Sequence, residues 1–330
     1  MNRRRFLHLL EGAAVGTIGA QLASGSGSGV LLADPKSKRL AQQANSGRPQ
    51  VAITMDDPSV DIGPFMTWQE ANRRLLECFA QHRLKVALFV CGMRVDRPEG
   101  RKLLSDWDKE GHLLCNHSYS HLNFNGAKVT YERFASDFAR NEPIILPYSH
   151  QTPLFRYPLL KEGDTAEKRD GFRALLKEHG YRNGCVTIDA SDWYVDDRMQ
   201  ARLTKDSNAT KEPYRDYLIS HLLDRATFYR QLALDTLGHE IRHTLLVHYR
   251  PLEALFLADV MSTFERAGWE WINADIAFKD PVFLREPQTL PSGESLAWAL
   301  AAESGRFKNQ LRYPGEDDVY EKPKMDALGL

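Results

Sequence analysis

From Gln50 onward, short apolar runs alternate with stretches of helical periodicity. Val51-Ala52-Ile53-Thr54 and Val86-Ala87-Leu88-Phe89-Val90 are continuous apolar runs, the pattern of strands buried on both faces. Between them, residues 67–82 repeat apolar positions at helical spacing, and Thr67-x-x-Glu70 reads as a capping box at their start. A second helical pattern spans Pro98 to Glu110. Further strand candidates are His112 to Cys115, Leu154 to Tyr157, Cys185 to Ile188, Thr244 to Val247 and Trp269 to Ile272. Asp164-x-x-Glu167 looks like another capping box, ahead of a helix ending near Gly180, and a long helical pattern runs from Glu212 to about Leu237. Parallel strands need crossover connections, so strands separated by helices imply a parallel α/β sheet. About seven such repeats favour a closed barrel over residues 50–278.

The ends and one interior stretch depart from this rhythm. Residues 194–243 form an insertion before the strand at Thr244, with a polar Lys205 to Lys211 segment; it either lines the substrate groove or is a passive surface excursion. Beyond Phe278 the chain passes Pro281, Pro287 and Pro291 and one helical stretch around Glu294 to Glu303. Residues 279–330 are therefore expected to wrap over the barrel. At the other end, Arg3-Arg4-Arg5-Phe6-Leu7 and a weakly apolar stretch to about Ala23 resemble a twin-arginine export signal. That stretch is too short and too polar for a secure membrane span. Ser24 to Gly29 alternates Ser and Gly as flexible linkers do, so residues 1–33 are expected to be signal and linker, and 34–49 a polar linker. The expected destination is the periplasm or the exterior, with the twin-arginine translocon as a transient partner.

Composition adds limits. With 330 residues, 42% of them apolar, the chain can bury a full core as one large domain or two. A net charge of -1 gives no general reason to expect nucleic acid or a charged membrane as partner. Cys78, Cys91, Cys115 and Cys185 lie among apolar residues with no Cys-x-x-Cys spacing and read as buried free thiols.

The candidate chemistry sits in two fragments, Thr54-Met55-Asp56-Asp57 and Asn116-His117-Ser118-Tyr119-Ser120-His121. If the second is helical, its imidazoles leave one face and converge on one ion. Two imidazoles and a carboxylate suit a borderline divalent cation such as Zn²⁺, with Co²⁺, Mn²⁺ or Ni²⁺ as alternatives, and leave a position for water. Neighbouring residues at a strand end point in different directions, so one Asp can bind metal while the other faces the water. Taken singly, a His pair is usually solvated and an Asp pair usually caps a turn; their joint occurrence after strand-like runs favours a site. Asp56, His117, Arg156, Asp189, Asp192 and His248 all follow or end such runs, where barrel enzymes gather their chemistry. The facial triad of iron oxygenases uses similar ligands, but leaves Asp56, Asp192 and His248 without roles.

With these pieces in order, the chain from about Val51 to Ile272 resembles the NodB-type polysaccharide deacetylases, carbohydrate esterase family 4. The resemblance implies a distorted (β/α)7 barrel and removal of acetyl groups from an acetylated polysaccharide, with one divalent metal ion. Thr54-Met55-Asp56-Asp57 is similar to the first family motif, which implies Asp56 as general base and Asp57 as metal ligand. His117 to His121 resembles the second and implies both histidines as ligands. Phe155-Arg156-Tyr157-Pro158-Leu159 resembles the third, with Arg156 holding the base, a Leu159 N–H at the oxyanion, and Tyr157 in the substrate-binding segment. Asp189-Ala190-Ser191-Asp192-Trp193 and Leu245-Leu246-Val247-His248 resemble the fourth and fifth: His248 as acid, Asp192 as its partner, Trp193 as a wall of the acetyl pocket. Leu160 stands where the third motif usually has Gly, Tyr249 where Asp commonly follows the His, and the linker between the last two motifs is long. An O-acetyl esterase, a cyclic amidohydrolase and a non-catalytic carbohydrate-binding relative are the rival readings.

Overall fold

The computed structural model describes residues 47–308, 310–311 and 317–330. The signal-like segment 1–33 and most of the expected linker 34–49 lie outside the described residues. Among the described residues nine strands follow one another: β1 (Gln50–Asp56), β2 (Ala87–Val90), β3 (Leu113–Asn116), β4 (Gln151–Phe155), β5 (Lys161–Gly163), β6 (Arg182–Asn183), β7 (His243–His248), β8 (Glu270–Trp271) and β9 (Ser292–Gly293). The main sheet runs β6-β4-β3-β2-β1-β7, all parallel, with β8 added to the start of β1. Strand β1 lies at its centre, and Val51 to Asp56 are buried throughout, as two-sided coverage of a parallel sheet requires.

Closure of the ring is imperfect. The expected strand Cys185–Ile188 does not form; only Ile188 bridges to Leu245 of β7. Just before it, the Gly184 N–H bonds Phe155 of β4 at 2.6 Å. Residues 182–188 thus touch β4 at their start and β7 at their end, as one broken strand across the seam. Gly184 sits at the break because a Cβ there would lie 2.5 Å from the Phe89 ring. The result is a curled, distorted (β/α)7 barrel, the expected fold class.

Helix starts carry local signals. Thr67 Oγ1 accepts the Glu70 N–H and opens the helix Trp68–Gln81, a cap worth about 1 kcal/mol. Only half of the capping box forms, because the Glu70 carboxylate turns to Arg73 and Arg74. In the second expected box the cap is Thr165, whose hydroxyl accepts the Lys168 N–H, while Asp164 pairs with Lys168. Beneath β1, Trp107 Nε1 donates to Asn72 Oδ1 at 2.6 Å and Tyr249 donates to the Trp68 carbonyl at 3.2 Å. Tyr249, in the place of the usual Asp, is therefore a core residue.

The insertion is not a surface excursion. Its helices, Asp192–Lys205 and Glu212–Leu237, pack on each other, and Leu218, Leu222, Ala226 and Tyr229 are fully buried. The helix Leu296–Glu303 packs on Glu212–Leu237, and the last helix, Asp317–Ala327, is tied by a Tyr217 to Glu321 hydrogen bond of 2.6 Å and an Arg198 to Asp326 ion pair. A separate aromatic core of Phe124, Phe134, Phe138, Phe155, Tyr157 and Phe172 fills the space outside β4.

Candidate active site

Asp56 ends β1 and pairs in register with Phe89 on one side and His248 on the other. The next residue, Asp57, leaves the sheet at φ 58°, its N–H bonded to the Phe89 carbonyl. His117 follows β3, and its Nδ1 lies 2.8 Å from the Arg156 carbonyl. A carbonyl only accepts, so Nδ1 carries a proton and Nε2 is the ring atom turned to the site. His117 Nε2 is 3.6 Å from Asp56 Oδ2, and His121 Nε2 is 3.4 Å from Asp57 Oδ2.

The two histidines converge by a different route from the expected one. Residues 117–121 are a loop, not a helix, with Ser118 at φ 60° and His121 at φ 54°. Its backbone is held from outside: Asn116 Oδ1 accepts the Ser118 N–H at 2.8 Å, and Asp137 Oδ2 accepts from Tyr119 and Ser120. Asn141 in turn bonds Asn116 and the Val90 carbonyl. These fixed acceptors compensate two left-handed residues that cost about 1–2 kcal/mol each.

One donor atom each from Asp57, His117 and His121 lies within 4.8 Å of the others, the only such trio among the described residues. Cys115 is not part of it; it is fully buried in the core. Asp57 Oδ1 is buried and has no hydrogen-bond partner, although Arg94 Nε is 3.1 Å away. Burial would raise the Asp57 carboxyl, but His121, His117 and Arg94 outweigh it and hold it at about 2. Burial pulls His121 down to about 4, so its imidazole is neutral. A carboxylate with one oxygen left without a hydrogen bond, beside two imidazole rings, is the donor set of a borderline divalent cation, and the residues fit such an ion.

Arg156 is fully buried and completely engaged. Its guanidinium donates to Asp56 Oδ1 at 2.6 Å, to Thr54 Oγ1 at 2.9 Å and to the Gly184 carbonyl at 2.9 Å, and lies 3.8 Å above the Phe89 ring. Asp56 is thereby held by one oxygen, with the other turned to His117.

Across the β1–β7 register, Asp192 opens its helix and is wholly buried. Its carboxylate accepts the His248 N–H at 2.6 Å and lies 2.9 Å from His248 Nδ1. Burial alone would lower the His248 pKa; Asp192 outweighs it, and His248 is pushed up to about 9. Trp193, half-buried, follows directly, edge-on to Tyr194. Leu159 is 55% exposed at φ 56°, and Leu160 adopts φ 55° in the place where glycine is usual.

A further expectation fails. Tyr157 does not reach a substrate groove: its ring stacks in the aromatic core with Phe134 and Phe124 and is 2% exposed. Arg156 points into the barrel, so the alternation of an extended segment sends Tyr157 out the other side. Asp189 stays apart from the Asp192–His248 pair, its backbone carbonyl accepting from Arg225. Sequence reasoning missed Arg94, which faces Asp57, and His221, whose Nε2 accepts the Ser191 N–H and braces the loop before Asp192. The Asn-His-Ser sequence at 116–118 was the one available sign of the Asn116 turn. Beside the trio opens a polar cleft of about 390 Å³, lined by Asp57, Ser59, Asp61, Arg94, Gln200 and Arg250 among others.

Residues 43–184 match the family model described as polysaccharide deacetylase. That segment, less than half of the chain, resembles a polysaccharide deacetylase domain of the NodB type. A peptidoglycan-N-acetylglucosamine deacetylase of Bacillus cereus is 29% identical over 111 residues, 33% of this chain. The match spans only 35% of that relative's length. In solved structures, a mutant of a carbohydrate esterase family 4 pseudoenzyme from Bacillus anthracis, with restored enzymatic activity, superposes with a TM-score of 0.50 at 17% identity over 70% of this chain and 68% of that one. A polysaccharide deacetylase of Bacillus cereus gives 0.49 at 20% identity, over 68% of this chain and 92% of the other. The first of these shares the deacetylase domain's fold.

Proposed function

We propose that the chain is a metal-dependent hydrolase that removes acetyl groups from N-acetylated amino sugars of a polysaccharide. The observation that carries this reading is the meeting of Asp57, His117 and His121 beside Asp56, with the Asp192–His248 pair on the adjoining strand end. When held by Asp57, His117 and His121, a divalent cation, Zn²⁺ by its donor set, supplies a polarised acetamide carbonyl and an acidified water. Asp56, fixed by Arg156, takes the proton of the attacking water through its second oxygen. The Leu159 N–H donates to the developing oxyanion, a contribution of roughly 3 kcal/mol. His248 then protonates the leaving nitrogen, and Asp192 stabilises its imidazolium until it does. Trp193 and the exposed Leu159 wall the acetyl group, and the polar cleft beside the trio receives the sugar.

Protonation of the leaving group separates amide from ester. An alkoxide leaves with little help, whereas an amine anion does not, and a histidine held protonated to about 9 serves the amide. The arginine-rich amino terminus supports export by the twin-arginine route, which places the polymer in the periplasm or outside the cell. One relative is a pseudoenzyme, but base and acid candidates are both present here, and a binding module needs neither.

Acetate release from an N-acetylglucosamine oligomer and from an aryl acetate tests the reading, in wild type, Asp56→Asn and His248→Ala. Asp56→Asn is expected to lose about 10³-fold on both substrates, and His248→Ala about 10²- to 10⁴-fold on the amide alone. Hydrolysis of the aryl acetate with no wild-type release from the oligomer makes the protein an ester hydrolase instead.

A further inference from the structure

A second cavity lies apart from the metal-binding trio. It encloses about 320 Å³ between the start of the broken strand and the carboxy-terminal wrap, and its lining includes none of Asp57, His117, His121, Asp192 and His248. The volume falls at the lower end of the roughly 300–1,000 Å³ of small-molecule sites. Two of its polar groups are buried and have no partner. Arg173, 8% exposed, spends Nε and Nη2 on Glu162 at 2.9 Å each, with Nη2 also reaching the Pro287 carbonyl, yet its Nη1 bonds nothing. Tyr157, 2% exposed, has an unbonded hydroxyl.

Unpartnered buried donors are costly in a folded protein and call for an acceptor. Both groups are donors: a guanidinium never accepts, and burial raises the Tyr157 phenol far above its ordinary range, which keeps it protonated. The rest of the wall joins apolar Leu160, Leu176, Phe283 and Leu296 to three carboxylates that are already paired, Glu162 with Arg173, Glu286 with Lys177 and Glu294 with Lys161, and Leu284 stands 67% exposed beside it. Arg182 and Arg285 at the rim are exposed and form no ion pair among the described residues, whereas Lys177 is balanced by Glu286. Donors inside, cations at the rim and apolar walls between select a carboxylate on an aliphatic body.

We propose that this cavity is a binding site for a small aliphatic monocarboxylate, its head accepting from Arg173 Nη1 and Tyr157 Oη and its chain against Leu176, Phe283 and Leu296. The site exists because the wrap is folded: β9 pairs antiparallel with β5, and Gly293 passes so close that a Cβ there would lie 1.9 Å from the Leu160 carbonyl oxygen. Removing Arg173 would strand Glu162, so the tests act elsewhere.

Calorimetric titration with octanoate, octan-1-ol and octylamine on the full chain reads the proposal. One octanoate is expected to bind with a Kd of about 1 mM or tighter, and the alcohol and the amine at least about tenfold more weakly. Tyr157→Phe keeps the ring and removes only the unbonded hydroxyl; it should fold normally and lose about tenfold in octanoate affinity, as for one hydrogen bond to a charged acceptor. Ala299→Phe fills the cavity and should abolish binding, with circular dichroism verifying the fold. No binding by wild type, equal binding of octan-1-ol, or octanoate affinity unchanged in both variants overturns the site. Because the readout is binding and not turnover, its failure leaves the deacetylase reading intact, and loss of deacetylation leaves this site intact.

Discussion

Two Asp–His contacts at the candidate active site hold their imidazoles in opposite charge states. At the β7 end, one buried carboxylate serves one histidine through two hydrogen bonds, from its backbone N–H and its ring Nδ1, and His248 stays protonated to about 9. At the β1 and β3 ends, Asp57 is shared among His121, His117 and Arg94, and burial leaves His121 neutral down to about 4. The residue types are the same. What differs is how many cations compete for each carboxylate and whether hydrogen bonds commit it to a single partner. One end is thereby suited to give a proton, the other to offer lone pairs.

Removing the shared carboxylate should break the contrast most severely. Asp57→Ala is expected to leave less than about a tenth of the wild-type metal content and background acetate release, because two imidazoles alone are a weak site. Full metal occupancy in this variant would show that another side chain completes the ligand set. Next in size is Asp192→Asn, which turns His248 into an ordinary histidine. Amide turnover at pH 7 should fall about 10- to 100-fold. The alkaline limb of the profile should also move from near pH 9 towards the ordinary 6.5 of histidine, since the acid works only below its own pKa. An unmoved limb would assign the acid to another group.

Stability should follow the same logic. His248 has its folded pKa raised from 6.5 to about 9, so its contribution is complete below pH 6.5 and disappears as pH rises through about 9. Asp57 is depressed from 3.8 to about 2, so its share is present above pH 3.8 and is lost on acidification through about 2. Denaturant titrations from pH 6 to 10 should show a decline that His248→Ala flattens; a slope equal in both proteins counts against the ion pair. The smallest effect is expected at the brace. His221→Phe removes the hydrogen bond from the Ser191 N–H to Nε2, at about 1 kcal/mol of stability, and should reduce kcat a few-fold with metal content unchanged.

How much of this was legible in the chain depended on how local each signal is. The strand runs ending in Asp56 and His248 and the helix Glu212–Leu237 are written in contiguous residues, and they fold where expected. The sequence offered a helix only as one way for residues 117–121 to bring both imidazoles together; the loop that forms instead takes its shape from Asp137 and Asn141, carried by the next helix. Tyr157 sat in a recognised motif, but the side on which it emerges follows from Arg156 committing inward to Asp56, a contact between residues 100 apart. Cys185–Ile188 has strand composition; the seam between β4 and β7 leaves it paired on one side only at Ile188. The second cavity had no sequence sign, since it arises only where the wrap meets β5.

The most direct test combines metal analysis with acetate release from an N-acetylglucosamine oligomer on one sample of purified protein, before chelation, after chelation and after Zn²⁺ is returned. One divalent ion per chain, activity falling to background on chelation and recovering with Zn²⁺, is the expected result. Metal-free protein that releases acetate at the undiminished rate would contradict the assignment of Asp57, His117 and His121 as the metal site of a deacetylase.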